Sequence, residues 1–118
     1  MTDYYSKEEE GSIFNMALAV LKRIDNYLNL IAKASIMKDT VTWYLTLRAL
    51  FREISFKLTE TEQKEINDLF EKIDVKYLND KRTLPKLEDI DMKLRYYMNK
   101  YHLLMPSKDD PRHSIYGR

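Results

Sequence analysis

The chain has 118 residues, enough for one domain with a core of its own. It carries 20 basic and 19 acidic side chains and no cysteine, which excludes a disulfide scaffold, a thiol nucleophile and a cysteine-held metal. That balance lacks the basic excess expected of a domain dedicated to nucleic acid.

Its two glycines, Gly11 and Gly117, lie near the ends. Without interior glycine, phosphate-cradling loops of the Walker and Rossmann types and tight hairpin turns are not available. Nine tyrosines is a high count, and interfaces favour tyrosine. No apolar run reaches the roughly 20 residues that span a bilayer. The opening MTDYYSKEEEG is acidic and lacks the basic-then-apolar order of a secretory signal. These features place the chain in the cytoplasm, or within a particle assembled there, with no membrane partner.

In chain order, an N-terminal tail is expected over residues 1–11, a helical bundle over 12–105 and an extended C-terminal tail over 106–118. The first helix runs from about Ser12, a suitable N-cap, to Ile36, with Ile13, Ala17, Val20, Ile24, Leu28 and Ile31 at helical spacing. The acids Glu8 to Glu10 would suit the positive end of the helix if it began earlier. The second starts near Asp39 or Thr40 and runs to Leu58, with Trp43, Leu47, Leu50, Phe51, Ile54 and Leu58 on one face. Thr59 and Glu62 form a capping box, leaving almost no loop before the third helix. A sharp corner is expected there, with a kinked continuous helix as the alternative. The third helix spans about Glu60 to Leu78, with Ile66, Leu69, Phe70, Ile73 and Tyr77 inward. A polar loop, Asn79 to Thr83, leads to Pro85 at a helix start. The fourth helix then runs to about Met105, with Leu87, Ile90, Leu94, Tyr97, Met98 and Tyr101 inward, and Pro106 stops it. The expected fold is all-α, a four-helix, mostly antiparallel bundle with extended tails.

An ordinary surface helix shows one apolar stripe and an opposite polar face. The third helix fits, with Lys64, Glu65, Asn67, Asp68, Glu71 and Lys72 outside its stripe. The second does not, because Val41, Leu45, Arg48, Arg52 and Phe56 line its outer side. Nor does the fourth, whose outer side carries Met92, Tyr96, Asn99 and Leu103. The first is apolar around most of its circumference apart from the line Lys22, Asn26, Asn29 and Lys33, which is explained if it is the central helix. Only one helix of a small bundle can be central, so the second stripes of helices two and four are expected to meet water or another chain. Aligned apolar residues make a patch, and patches tend to be contact sites. The candidate protein interface is therefore Val41, Leu45, Arg48, Arg52, Phe56, Met92, Tyr96 and Leu103.

One acidic pattern has the form of an enzyme site. Glu62 and Glu65, with Glu88 and Asp91, make an ExxE…ExxD arrangement that resembles the all-helical nucleoside triphosphate pyrophosphatases of the MazG kind. The resemblance implies paired acidic turns that bind magnesium. Both pairs, however, lie in the first turns of consecutive helices. In an antiparallel hairpin this separates Glu65 from Glu88 by roughly 20 Å of helical rise. Acids in a first turn also complement the helix dipole with no metal present.

His102 and His113 are the only histidines; neither lies in a Glu-x-x-His pair, and no cofactor or metal is expected. The candidate phosphate contacts are Arg48 and Arg52, then Lys81, Arg82 and Lys86, then Lys108, Arg112 and Arg118. Glu53, Asp80, Asp109 and Asp110 interleave with them.

The sequence thus points to a non-enzymatic interaction or structural component whose partner is another protein or a second copy. A viral or phage assembly protein, or an inhibitor that occludes a host protein, would both fit. Nucleic-acid binding is the alternative, and no small-molecule substrate is evident.

Overall fold

The computed structural model describes residues 7–104, and the side chains of residues 18–104. The described chain is all-α, with four helices: α1 (Lys7–Met37), α2 (Thr40–Ile54), α3 (Glu60–Glu71) and α4 (Leu84–Lys100). The C-terminal tail over 106–118, and with it His113, Lys108, Arg112 and Arg118, lies outside the described residues, as do the side chains of Ile13 and Ala17.

α1 begins at Lys7, so residues 7–11, expected to be tail, belong to the helix and Ser12 is not its N-cap. Glu8, Glu9 and Glu10 are good helix formers at the positive end of the dipole, which extends the helix through Gly11 despite that residue's low propensity. Ile24, Ile31 and Ala34 are buried, with Val20, Tyr27 and Leu28 packed beside them.

The chain then reverses in two residues. Lys38 takes the left-handed conformation, with φ of 56°. Its N–H donates to Ser35 O at 3.2 Å, and the N–H of Asp39 donates to Ala34 O at 2.8 Å. This pairing is a Schellman ending with lysine where glycine is usual. Asp39 at once caps α2, its carboxylate accepting from the Thr42 N–H and the Thr42 hydroxyl.

α2 buries Thr40, Trp43, Thr46, Leu47, Leu50 and Ile54, and it is the central element, packed on both α1 and α4. The expectation that α1 is central is corrected. α1 packs chiefly on α2 and leaves Leu30, Ile36 and Met37 exposed. Arg23 of α1 pairs with Glu53 of α2, residues almost equally far from the corner.

α2 ends at Ile54, before the expected Leu58. It tightens into a 3₁₀ turn over Ser55–Lys57, after which Leu58 and Thr59 are extended. The sharp corner is therefore what forms, and not a kinked continuous helix. Gln63 reaches back from α3 and donates to the carbonyls of Ser55 and Leu58, both at 3.2 Å, satisfying groups that the end of α2 orphans. The capping box is complete: the Glu62 N–H donates to Thr59 Oγ1 at 3.1 Å, and the Thr59 N–H donates to Glu62 Oε1 at 2.9 Å.

α3 stops at Glu71 and not at Leu78. Asp74 accepts from the Lys76 N–H and Asp80 from the Arg82 N–H, so two aspartates fold residues 74–83 into successive 3₁₀ turns. Ile66, Phe70 and Ile73 are buried as expected, but Tyr77, expected inward, is 62% exposed because it lies beyond the helix. Phe70 docks α3 on α2, its ring 5.8 Å from both Tyr44 and Phe51. The Thr40 hydroxyl donates to the Leu78 carbonyl, which ties the α1–α2 corner to this segment.

α4 starts with Pro85 in its first turn and buries Leu87, Ile90, Leu94, Tyr97 and Met98. It ends at Lys100, short of the expected Met105, in a second Schellman arrangement. His102 is left-handed with φ of 55°, and the Leu103 N–H donates to Met98 O at 2.8 Å. That reversal turns Leu103 into the core.

Left-handed backbone costs a side chain roughly 1–2 kcal/mol, whereas glycine costs roughly 0.5–1 kcal/mol more in unfolded-state entropy. Lys38→Gly and His102→Gly should therefore each raise stability by about 0.5–1 kcal/mol in urea unfolding. The two gains should add, since the sites lie at opposite ends of α2.

Candidate functional site

The outer face of α2 carries Leu45, Arg48 and Arg52 in the open, and Phe56 continues it on the 3₁₀ turn that follows, with Leu45 59% and Phe56 64% exposed; Val41 is half-buried. Toward α3 this face borders a shallow groove of about 190 Å³, lined by Arg48, Phe51, Arg52, Ser55, Gln63 and Asn67. No carboxylate lines it. The Arg48 guanidinium lies over the Phe70 ring, 5.1 Å from its centroid, so the core aromatic orients it. Among the described residues neither Arg48 nor Arg52 forms an ion pair.

Five other cations are paired. Arg23 is held by Glu53, Arg82 by Asp80, Lys93 by Glu65, Arg95 by Asp91 and Lys100 by Glu62. Lys86 donates to the Lys72 carbonyl at 2.9 Å. Of the described phosphate-contact candidates, Arg82 is thus neutralised by its own loop and Lys86 is tied to a carbonyl, while Arg48, Arg52 and Lys81 form no ion pair.

On the far side of α3 lies a larger groove of about 560 Å³, between α3 and α4. Leu69, Met92 and Tyr96 give it an apolar surface, and Glu65, Asp68, Lys72, Asp89 and Lys93 surround them. Met92 is 71% and Tyr96 58% exposed. Tyr96 is steadied by an edge contact to Tyr97 and by the Lys93 ammonium over its ring.

Leu103 does not belong to this face. It is 5% exposed, because the helix ends before it and the left-handed His102 redirects the chain. Its neighbourhood is instead a recess of about 360 Å³ at one end of the bundle, lined by Val20, Leu21, Phe56, Lys57, Tyr101, His102 and Leu103. Sequence reasoning missed this recess, which draws on three elements that meet only in the fold. The outward Phe56 was the one trace of it.

The acidic pattern resolves into a lock between helices. Glu62 is buried and accepts from Lys100 Nζ at 2.8 Å, from the Tyr101 hydroxyl at 2.6 Å and from the Thr59 N–H. Glu65 accepts from the Tyr97 hydroxyl and pairs with Lys93 at 3.2 Å. The start of α3 therefore lies beside the end of α4, whereas Glu88 and Asp91 sit in the opening turns of α4. Among the described residues, no group of three or more His, Cys, Asp or Glu gathers as a metal site would require.

The bonds from Lys100 and Tyr101 hold the Glu62 carboxyl down at about 2, well below the ordinary carboxylate value. Burial and the neighbouring Glu65 carboxylate push the Tyr97 phenol up. No family model, no curated protein and no solved structure matches this chain.

A carboxyl with a lowered folded-state pKa contributes stability in full above its unfolded value and loses it as pH falls through the folded value. Glu62→Gln should therefore lower the thermal midpoint at pH 7. The gap to the parent protein should close between pH 4.5 and about 2, as followed by circular dichroism.

Proposed function

We propose that this chain is a helical protein-binding component, working in a larger assembly or with copies of itself through the exposed outer faces of α2 and α4. The observation that carries the reading is the α3–α4 groove, where Met92 and Tyr96 stand open on a supported backbone. Tyrosine and methionine are enriched at interfaces, and here the tyrosine is held by neighbouring groups before any partner arrives. Leu45, Phe56 and the two unpaired arginines give the α2 side a mixed apolar and cationic character of its own. No described helix is long and apolar enough to cross a membrane, so the reading needs no bilayer.

A photoreactive phenylalanine analogue in place of Tyr96, expressed in the source cells, should form discrete protein adducts. The same probe in place of Glu71, on the polar face of α3, should form none. Equal labelling from both positions, or none from either, would remove the α4 face from the proposal.

The acid-free groove beside Arg48 and Arg52 supports a second reading, contact with nucleic-acid phosphates. It predicts duplex binding that weakens steeply with salt, with a slope that Arg48→Ala plus Arg52→Ala reduces by about 2. No binding at low salt discards it.

A further inference from the structure

Resting on the protein-binding reading above, we infer that the partner is a second copy of this chain, bound head to tail. The α2 face of one copy enters the α3–α4 groove of the next. The two faces differ in charge. The α2 face presents Arg48 and Arg52 with no carboxylate in its groove. The α3–α4 groove has three carboxylates against two lysines, and one of those lysines, Lys93, is already held by Glu65. Asp68 and Asp89 line the groove with no ion pair among the described residues, as does Lys72.

A two-fold contact centred on one face would set that face against itself, and one that paired stripe with groove twice would need both faces in a single patch, which α3 divides. Stripe on stripe brings the arginines together, and groove on groove brings the aspartates together. Only stripe on groove joins opposite charges, while also giving Leu45 or Phe56 an apolar floor. The contact cannot close within one chain. α3 stands between the faces, with Gln63 and Asn67 on the α2 side and Asp68 and Leu69 on the α4 side. A contact of this kind uses two different surfaces, so it propagates into a ring or a filament and does not stop at a dimer.

The test uses two variants that each disable one face. Arg52→Glu spoils the stripe and leaves the groove; Tyr96→Asp spoils the groove and leaves the stripe. Both additions are acidic, so the spoiled faces repel each other. Met92→Asp replaces Tyr96→Asp if that variant loses helix content. In sedimentation velocity over a concentration series, the parent protein should grow beyond a dimer. Each variant alone should be monomeric, its association weakened at least tenfold. An equimolar mixture should form a one-to-one dimer and grow no further.

A parent protein that stays monomeric throughout overturns head-to-tail docking and leaves the protein-binding reading to the cross-linking experiment. Either variant associating as the parent does, or a mixture that stays monomeric, overturns it as well.

Discussion

The Glu62 carboxylate is the point at which this fold is fastened. α3 is short and largely polar, and a helix of its 12 residues is marginal in isolation. Its position depends on contacts at its two ends. At the far end Phe70 packs on the rings of Tyr44 and Phe51. At the start, Glu62 closes the capping box and also takes Lys100 and the Tyr101 hydroxyl from the end of α4. Burying a carboxylate is costly unless its lone pairs are filled, and here three donors fill them. A hydrophobe in its place could pack, but it could not cap α3 and fix the register of α4 together. The groove between α3 and α4 inherits its geometry from this lock and from the Glu65 bonds one turn on.

The scarcity of glycine sets a second constraint. Every described reversal must be made with residues that bear side chains, and the chain does so in two ways. Lys38 and His102 accept left-handed backbone at the ends of α1 and α4. Asp39, Thr59, Asp74 and Asp80 supply side-chain oxygens to the N–H groups that begin the next turn. Such oxygens favour short, hydrogen-bonded corners over long loops. The helices are therefore linked closely, and the surfaces on either side of α3 keep a fixed relation to one another.

What the sequence revealed follows from the range of the signals. Asp39, Thr59 and Glu62 were legible because a cap is a local event over three or four residues. The outward side chains of Leu45, Arg52, Phe56, Met92 and Tyr96 were legible because angle along a helix is local too. Tyr77 and Leu103 were misplaced because the helical period was carried past the true helix ends. The aspartates after α3 and the left-handed His102 broke it there. The identity of the central helix was not legible at all. α1 has the broader apolar arc, but centrality depends on which helices pair, and α2 takes it by contacting α1, α4 and, through Phe70, α3. The pairings of Glu62 and Glu65 across to α4 were equally hidden, since those partners lie 28 to 39 residues away in sequence. For the candidate surface, its members were largely readable but its division into two grooves was not.

The partition of charge gives the surface its character. Nearly equal numbers of acids and bases could have covered this protein evenly. Instead, Glu53, Glu62, Glu65, Asp80 and Asp91 are each committed to a cation within the fold. Commitments of this kind draw charge out of some regions and leave it uncompensated in others. On the α2 side of α3 the remainder includes Arg48 and Arg52; on the α4 side it includes Asp68 and Asp89. A scatter of exposed apolar side chains on a monomer would carry no such sorting. Apolar side chains bordered by charge of one sign on one face, and mainly of the other sign on the next, have the form of two surfaces suited to each other. That complementarity, more than the quantity of exposed hydrophobic area, is the basis for proposing that these two faces bind each other.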